Sequence, residues 1–500
     1  MNRMVTRRLI LTCIILMLVI SGVSAGTYVT VTKAELAGAR SDEARWRLLY
    51  DKHITARKQG VTVKYPKKYT INIDIPKDAT SIILERSQDF NGCTFNVTNN
   101  ANDLLFLFTI YQSGNEVPLS IPKEVIESGN FSSVKALASG LKILKISDRN
   151  EWVARREGYS YGATRKDILL LRNGIAENKP VASYSTASSD PICTYRNVSD
   201  ENITVKNVRF RRAYPSSART FLLRVLDHNN VSVSNVSIYT NPNETKNADQ
   251  CICCKNCTNL TFDDIDINGT YSGKSDYGYG ISLDNVWNVT FNRMTANAKW
   301  GVFGNNNVSL MTLNKCRINR FDCHCYGANF YCNDCDFFDM YNQVSSIYGE
   351  IRFDNCTFTN FRPLLFEYSY NAYTGFELYF TDCTFNADAT HNYIIYAGEL
   401  RNVINERPEL ARKCWPNVHI KNMRINTTAD VKSVYLFKIR GEKQYTQPIG
   451  YISSIDIESL TMSNPRVTFY DCDVPIISER PLRTKFSKVP ALFKRRIGNN

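Results

Sequence analysis

Residues 350–358 (EIRFDNCTF) and residues 377–385 (ELYFTDCTF) are two copies of one nine-residue repeat. Apolar residues occupy its positions two, four, seven and nine, and position six is usually Asn or Asp. Because side chains alternate between the two faces of a strand, this pattern predicts two short strands joined at position six. Asn and Asp suit such a corner, since they tolerate a left-handed backbone better than other residues except glycine.

The repeat recurs along most of the chain, with starts separated by roughly 20 to 40 residues, an interval that indicates a solenoid. A constant repeat with variable spacing means that each turn keeps its strands and varies its loops. We therefore predict an all-β fold, a right-handed parallel β-helix, with an N-terminal capping helix. The further copies are NITVKNVRF from Asn202, NVSVSNVSI from Asn230, NLTFDDIDI from Asn259, NVTFNRMTA from Asn288, LMTLNKCRI from Leu310, NFYCNDCDF from Asn329, NVHIKNMRI from Asn417, SIDIESLTM from Ser454 and an outlying SQDFNGCTF from Ser87.

The first residues of the chain have the pattern of an export signal. Three arginines precede the apolar run 9–20, and small residues follow it up to Ala25. The run is too short for a membrane span of about 20 residues. We predict a signal peptide over residues 1–25, cleaved near Ala25, and a secreted, periplasmic or cell-surface protein without a transmembrane segment. The net charge of +13 favours anionic partners, and export makes an anionic polysaccharide a better expectation than nucleic acid.

The rest of the chain divides into four parts. Residues 26–60 are predicted to form a helix, with Ser41 as N-cap and Gly60 at its end, which covers the open end of the coil. Residues 61–195 hold the first coils, within which residues 113–195 are either irregular turns or an inserted arm. Regular coils occupy residues 196–475. Residues 476–500 form a basic tail, which is either a cap or an anchor on an anionic surface.

Cysteines follow the repeat rather than a metal-binding pattern. Four of them, Cys316, Cys335, Cys356 and Cys383, occupy position seven in successive copies. Stacked turns lie about 4.8 Å apart, so the thiols should form a column inside the coil. The column is either a file of small apolar side chains or a series of disulfides between turns. Since Cys332 also falls at an inward position, no metal site is predicted.

Two other polar patterns also follow the repeat. The pair Asp263 and Asp264, which resembles two catalytic carboxylates, occupies positions five and six and should form a corner. Many Asn-x-Ser/Thr triplets, such as those at Asn230 and Asn259, coincide with position one. We interpret them as stacked asparagine ladders rather than glycosylation sites.

The repeat does not account for residues 300–305 (WGVFGN) and residues 320–324 (RFDCH). Asp322 and His324 are expected to point the same way, the carboxylate orienting an imidazole for general acid–base work. Arg320, on the same alternation, would bind the carboxylate of a uronic acid. Trp300 and Asn305 are candidate substrate-binding residues of the preceding turn.

Tyrosine-rich loops flank this candidate at residues 276–280 (DYGYG) and residues 367–373 (EYSYNAY). Exposed aromatic rings stack on the apolar faces of sugars, so Asp276, Tyr279, Glu367 and Tyr370 are candidate substrate-binding residues. Glu367 is also a candidate second carboxylate. The alternative is that these loops only cover the core.

Two segments resemble a known superfamily. A helix, Gly60, an alternating strand and residues 66–71 (PKKYTI) resemble the N-terminal part of pectate-lyase-like β-helix proteins. The Trp-Gly run ahead of Arg-Phe-Asp-x-His resembles a group of secreted bacterial proteins of the pectin-lyase-like superfamily. The resemblance implies the fold but no particular activity, because the Gly-His-Gly run of polygalacturonases is absent and residues 407–412 lack the spacing of the pectate-lyase motif. It also implies calcium as an alternative cofactor; because the sequence has no dedicated Asp cluster, we predict none.

Together these patterns predict an exported polysaccharide-active protein, a lyase or glycosidase on an acidic glycan. The alternative is a non-catalytic glycan-binding surface protein or adhesin, similar to the shaft of a phage tailspike. A purely structural coil is the third hypothesis.

Overall fold

The chain is a right-handed parallel β-helix, as the repeats predict. The computed structural model describes residues 27–99, 105–112, 114–155, 162–185, 187, 190–212, 220–240, 251–270, 279–298, 301–345, 347–360, 363–366, 376–397, 416–439, 454–478 and 482–499. The predicted signal peptide lies outside these residues. No helix in the described ranges is long and apolar enough to cross a membrane.

Most strands of the coil belong to one sheet, and each pairs in parallel with the strand one turn away. In the described residues its 22 strands are Thr70–Ile75, Ile82–Leu84, Gln88–Asn99, Leu105–Tyr111, Ile203–Arg212, Thr220–Leu226, Asn229–Thr240, Ile252–Thr270, Tyr279–Asn292, Thr295–Ala298, Gly301–Asn314, Arg317–Ile318, Cys325–Asn333, Asp336–Asp339, Ile347–Asp354, Thr357–Asn360, Glu377–Thr381, Thr384–Ala387, Asn417–Lys421, Met423–Thr427, Ser454–Met462 and Arg483–Lys488.

A second parallel sheet forms another face of the later turns. Its strands, in the part of the chain that the structure describes, are Asp322–Cys323, Gln343–Val344, Leu364–Phe366, Tyr393–Ala397, Ser433–Ile439, Thr468–Cys472 and Phe493–Lys494. Two further strand pairs lie at the ends of the chain, Tyr28–Thr30 with Thr62–Lys64 and Ile476–Ser478 with Ile497–Asn499. The basic tail therefore adds strands to the last turns of the coil.

Position six of the repeat forms the predicted corner. Its φ angle is 60° at Asn207, 50° at Asn235 and 52° at Asp264, and it lies between 52° and 55° in the later copies up to the one with Asn422. Arg293 and Lys315, which are neither Asn nor Asp, adopt the same left-handed conformation with φ angles of 54° and 53°. The stack of turns thus imposes the corner even where the residue type does not favour it.

The polar ladders are confirmed as well. Asn288 donates to Asn259 at 2.5 Å, and Asn259 donates to Asn229 at 2.8 Å, each bond joining one turn to the next. Arg293 of the following turn donates to both Asp263 and Asp264, at 2.6 and 2.7 Å. The Asp pair is therefore a paired corner, as predicted, and not a catalytic dyad.

The interior of the coil is apolar and ordered into columns. Phe353 stacks on Phe380 of the next turn with ring centroids 5.3 Å apart, and each such pair contributes about 0.5–1.5 kcal/mol beyond its buried area. The four cysteines of the predicted column are buried free thiols. The Cys356 thiol donates to the carbonyl of Cys332 at 3.2 Å, and burial raises the pKa of the Cys332 thiol. In these residues the column is a file of thiols.

The N-terminal lid consists of two helices, Lys33–Gly38 and Asp42–Gln59, where the sequence suggested one. Glu35 and Thr32 form a capping box that starts the first helix, and Ala39 leaves helical geometry. Ser41 then caps the second helix, which ends at Gly60 in a left-handed conformation, as predicted. Because Ser41 favours a new helix start over a continued helix, the break falls just before it.

Residues 113–195 are an inserted arm rather than irregular turns. Strand Gln88–Asn99 pairs directly with Ile203–Arg212, so the two belong to consecutive turns although the arm separates them in sequence. The arm has the helix Lys123–Ser128 and an antiparallel sheet. Its strands are Val117–Ser120, Leu141–Arg155, Gly162–Arg172, Ile175–Ala176 and Ile192–Asn197.

The arm docks on the outside of the coil through a buried polar cluster. Asp167 of the arm accepts hydrogen bonds from Tyr326 of the coil at 2.9 Å and from Tyr184 at 2.8 Å. Arg165 donates to the Tyr326 hydroxyl at 3.0 Å, and its guanidinium lies 3.5 Å from the ring centre of Tyr184. Beside this cluster Trp287 of the coil packs against apolar residues of the arm. The cluster is thus a specific, fully buried attachment point.

Candidate functional site

The predicted residues Arg320, Asp322 and His324 lie where the coil passes from the 22-stranded sheet to the seven-stranded sheet. Phe321 and Cys323, which alternate with them, point into the core. The three polar side chains therefore share the outer side of the chain, as their spacing predicts. Asp322 and His324 do point the same way.

A buried ion pair holds this group together. The Arg320 guanidinium approaches Oδ2 of Asp322 at 2.5 Å, and both side chains have no exposed surface. The same nitrogen of Arg320 donates to Gln343 of the next turn at 2.7 Å, and the Tyr341 ring lies 4.8 Å from the guanidinium. Nε2 of His324 lies 3.3 Å from Oδ2 of Asp322, and 14% of the His324 side chain is exposed. Two paired charges thus hold an imidazole that still reaches the surface.

Tyr279 completes the arrangement from the preceding turn. Its hydroxyl lies 2.9 Å from Nε2 of His324, and the two rings meet edge to face with centroids 5.6 Å apart. Tyr279 begins the strand Tyr279–Asn292 and is half-buried. A phenol and an imidazole in hydrogen-bond contact can pass a proton between them, which is what general acid–base catalysis needs.

Two glycines make room for these side chains. A Cβ on Gly301 would lie 2.4 Å from Cδ of Arg320, and one on Gly304 would lie 2.7 Å from the Tyr279 ring. Gly301 also has a φ of 151°, which residues with a side chain rarely adopt. The glycines of the WGVFGN segment therefore let Arg320 and Tyr279 lie flat against the coil.

Two predicted roles are wrong. Arg320 does not bind a substrate carboxylate, because its guanidinium is fully buried against Asp322 and Gln343. Asn305 does not bind substrate either. It pairs in register with the core residue Leu283, points inward and donates weakly to the sulfur of Met311 at 3.7 Å. The alternation of the strand, which places Gly304 outside, necessarily turns Asn305 inside.

The other predicted substrate-binding residues, Asp276, Trp300, Glu367 and Tyr370, lie outside the described residues. Within the described ranges, no three His, Cys, Asp or Glu side chains converge as metal ligands.

The sequence interpretation missed residues that hold the site from the next turn. Gln343 binds Arg320, and Asn342 accepts from the backbone N–H of Phe321 at 2.8 Å while donating to the Pro363 carbonyl. A signal for them was present: Gln343 follows Asp322 by the same 21 residues that separate the repeat starts at Asn329 and Glu350. Counting one turn forward from a candidate would have found its partner.

No family model and no curated protein matches the chain, but solved structures of phage tailspikes do. The tailspike protein gp49 from Pseudomonas phage LKA1 has a TM-score of 0.49 and 14% identity, over 94% of this chain and 81% of that one. The Gp54 tailspike of Acinetobacter baumannii bacteriophage AP22, in complex with capsular saccharide, has a TM-score of 0.45 and 11% identity, over 85% and 74%.

The Pseudomonas phage phi297 tailspike gp61 has a TM-score of 0.40 and 11% identity, over 85% of this chain and 73% of that one. At these identities the similarity concerns the coil alone. The chain is similar to tailspikes in being a parallel β-helix. Its function has to be inferred from its own side chains.

Proposed function

We propose that this β-helix is a polysaccharide lyase that cleaves an acidic glycan, with Tyr279 and His324 as its acid–base pair. The observation that carries the proposal is the 2.9 Å contact between the Tyr279 hydroxyl and Nε2 of His324. His324 is partly exposed, and the buried Asp322 fixes the position of its ring. A carboxylate beside an imidazole raises its basicity and limits its rotation.

The chemistry of a lyase matches such a pair. A base removes the proton from the ring carbon that bears the carboxylate, and the electrons of that C–H bond form a double bond to the neighbouring carbon. The bond from that carbon to the glycosidic oxygen breaks, and an acid protonates the oxygen. His324 takes the first proton and Tyr279 supplies the second. Their hydrogen bond then returns a proton from His324 to Tyr279, so that both residues start the next cycle unchanged.

A glycosidase fits the same residues less well. Hydrolysis of a glycosidic bond normally uses two carboxyl groups, roughly 5–10 Å apart and both in contact with the sugar. Among the described residues, the carboxylate in contact with His324 is that of Asp322, which has no exposed surface and is paired with Arg320. Asp322 can position His324, but it does not reach a substrate.

The test is product formation from a panel of uronate polymers, followed by the ultraviolet absorbance of the new double bond. We expect the wild-type chain to form unsaturated product, and Tyr279→Phe and His324→Ala each to lower its rate by a factor of about 10²–10⁴. The chain offers a matched control in Tyr379 and His419, whose rings stack with centroids 4.5 Å apart between the strands Glu377–Thr381 and Asn417–Lys421. His419→Ala and Tyr379→Phe should leave the rate unchanged.

Two outcomes would count against the proposal. The first is no unsaturated product from any polymer of the panel, although the protein is folded. The second is a product whose rate is the same in Tyr279→Phe, His324→Ala and the wild-type chain. Glycan binding that persists without any product would favour the non-catalytic glycan-binding protein.

A further inference from the structure

A groove of about 800 Å³ lies on the outer face of the first turns of the coil. Its lining includes Lys68, Thr94, Arg209, Arg211, Ser237 and Tyr239. Arg209 and Arg211 belong to one strand, Ile203–Arg212, and are separated by a single residue. Because side chains alternate along a strand, both point outward into the groove, about 7 Å apart along the strand.

Among the residues that the structure describes, no acidic side chain pairs with either of these two arginines. Neither Arg209 nor Arg211 forms an ion pair or a side-chain hydrogen bond with any residue that the structure describes, and both are exposed. Arginines elsewhere on the outside of the coil differ. Arg293 pairs with Asp263 and Asp264, and Arg317 lies 3.4 Å from Asp336. Exposed cations that no described residue neutralises can bind an anion.

The rest of the lining suits a sugar. Tyr239, which stands one turn from Arg211 in register, keeps 45% of its surface exposed. An exposed tyrosine ring next to a guanidinium can stack on the apolar face of a sugar while the guanidinium binds its carboxylate or sulfate. Thr94 and Ser237 add hydroxyl groups, which can form hydrogen bonds with the hydroxyls of a sugar. Asp266 is the acidic group of this lining, and burial raises its pKa.

We propose that this groove is a binding site for an anionic polysaccharide, separate from the Tyr279–His324 pair. Arg209 and Arg211 bind carboxylate or sulfate groups, and Tyr239 stacks on a sugar ring. A glycan fits better than a nucleic acid, because the groove is lined by three cations, one exposed aromatic ring and several neutral hydrogen-bonding groups. A groove for single-stranded nucleic acid would offer several stacking rings and a continuous track of cations. The site shares its ligand class with the proposed lyase and requires no catalysis.

Binding is measured with the full chain carrying His324→Ala, so that the polymer stays intact. The probes are polygalacturonate, alginate, hyaluronate and heparin at low ionic strength, with neutral dextran and single-stranded DNA beside them. We expect at least one anionic polymer to bind, and Arg209→Gln with Arg211→Gln to weaken it by a factor of ten or more. Tyr239→Ala should weaken it about fivefold, and Asp266→Asn should strengthen it because a negative charge leaves the groove.

Arg424 provides the matched control, since it occupies position eight of a later repeat, as Arg209 does in its own. Arg424→Gln should leave the affinity unchanged. The proposal fails if no anionic polymer binds, if the double variant binds as tightly as its parent, or if DNA binds better than every glycan. Failure of the lyase proposal would be seen separately: the chain with native His324 would form no unsaturated product although it still binds the glycan.

Discussion

At the level of single residues, Gly301 and Gly304 determine where much larger side chains can lie. A glycine has no Cβ, so a neighbouring chain can approach its backbone closely. Arg320 uses this space at Gly301, and Tyr279 uses it at Gly304. The two glycines are thus part of the candidate site, although neither carries any chemistry.

Gly301→Ala should damage both stability and activity. The new Cβ would overlap Arg320 and push it from Asp322, leaving a buried carboxylate without its cation, so we expect a loss of roughly 3 kcal/mol in unfolding free energy. Urea unfolding measures the loss. Gly38→Ala is the control, because nothing lies within 4 Å of its Cβ, and it should change stability by less than about 1 kcal/mol. An unchanged urea midpoint in Gly301→Ala would contradict the packing.

At this scale the sequence predicts which residues share a side, but not how deeply they are buried. The alternation of Arg320, Asp322 and His324 was enough to place them together. It could not show that Arg320 is sealed beneath Tyr341 and bound to Gln343, because those contacts cross a whole turn. Asn305 was misplaced for a related reason. It follows a glycine-rich run, and only the register with Leu283 shows that it faces the core.

At the level of elements, the lid helix Asp42–Gln59 contains a buried imidazole. His53 is 7% exposed, and its Nε2 lies 2.8 Å from the hydroxyl of Tyr65, the residue that follows the strand Thr62–Lys64. Burial lowers the pKa of His53 to about 3. The folded lid therefore keeps His53 neutral at pH values at which an unfolded chain would protonate it.

The lid should weaken in acid for this reason. As the pH falls below the unfolded pKa of about 6.5, the unfolded chain binds a proton that the folded chain does not. Stability is lost progressively until the folded pKa of about 3 is reached. Between about pH 7 and about pH 4.5 His53 should account for roughly 2–3 kcal/mol of the loss.

Denaturant unfolding at both pH values measures the effect. His53→Gln keeps a polar group near Tyr65 but does not titrate, so its loss between the two pH values should be smaller. His419→Gln, on the surface at 30% side-chain exposure, should follow the wild type. The same pH dependence in His53→Gln and in the wild type would show that His53 is not the group responsible.

Elements built on the repeat were predictable, and the lid was so in part. Ser41 and Gly60 marked the ends of the second helix from residue type alone. The shorter helix Lys33–Gly38 was not separated from it, although Thr32 and Glu35 have the spacing of a capping box. The corner at position six was predictable even where Arg293 occupies it, since the copies around it fix the register.

At the level of the whole molecule, the arm depends on a residue in an unfavourable conformation. Tyr326 has a φ of 55° and stands in a column of corners that elsewhere holds Asn256, Asn285 and Asn307. A bulky residue in the left-handed region costs on the order of 1 kcal/mol. Tyr326 occupies the corner while its hydroxyl binds Asp167 of the arm.

Tyr326→Phe should loosen the arm without unfolding the coil. It removes one donor from the buried Asp167, a loss of about 1–3 kcal/mol. Hydrogen exchange should quicken in strand Gly162–Arg172 and stay unchanged in Asn417–Lys421, far from the arm. Tyr331→Phe is the control, because the Tyr331 hydroxyl binds Glu350 at the partly exposed surface of the coil. Equal acceleration in both strands would contradict a local attachment.

The arm itself could not have been recognised from the repeat. Its strands pair antiparallel and follow no nine-residue pattern, so the sequence showed only an interruption. Its attachment is equally hidden, because Asp167 and Tyr326 are 159 residues apart. The coil, by contrast, repeats one local structure, and the copies of its nine-residue repeat can be aligned in the sequence by inspection. What could be predicted was therefore the scaffold, and what could not was the arm docked against it.

The regular stacking of turns places equivalent surface positions at a fixed spacing along the coil. Equivalent outward positions recur about every 4.8 Å along the axis. A linear polymer lying along that axis would contact these equivalent positions on successive turns. It could shift by one turn and keep most of its contacts. The affinity of the polymer for such a surface rises with the number of these positions that it contacts at once. A long chain would thus be retained and a short fragment released, so that polymer length is selected by the same geometry that holds the coil together.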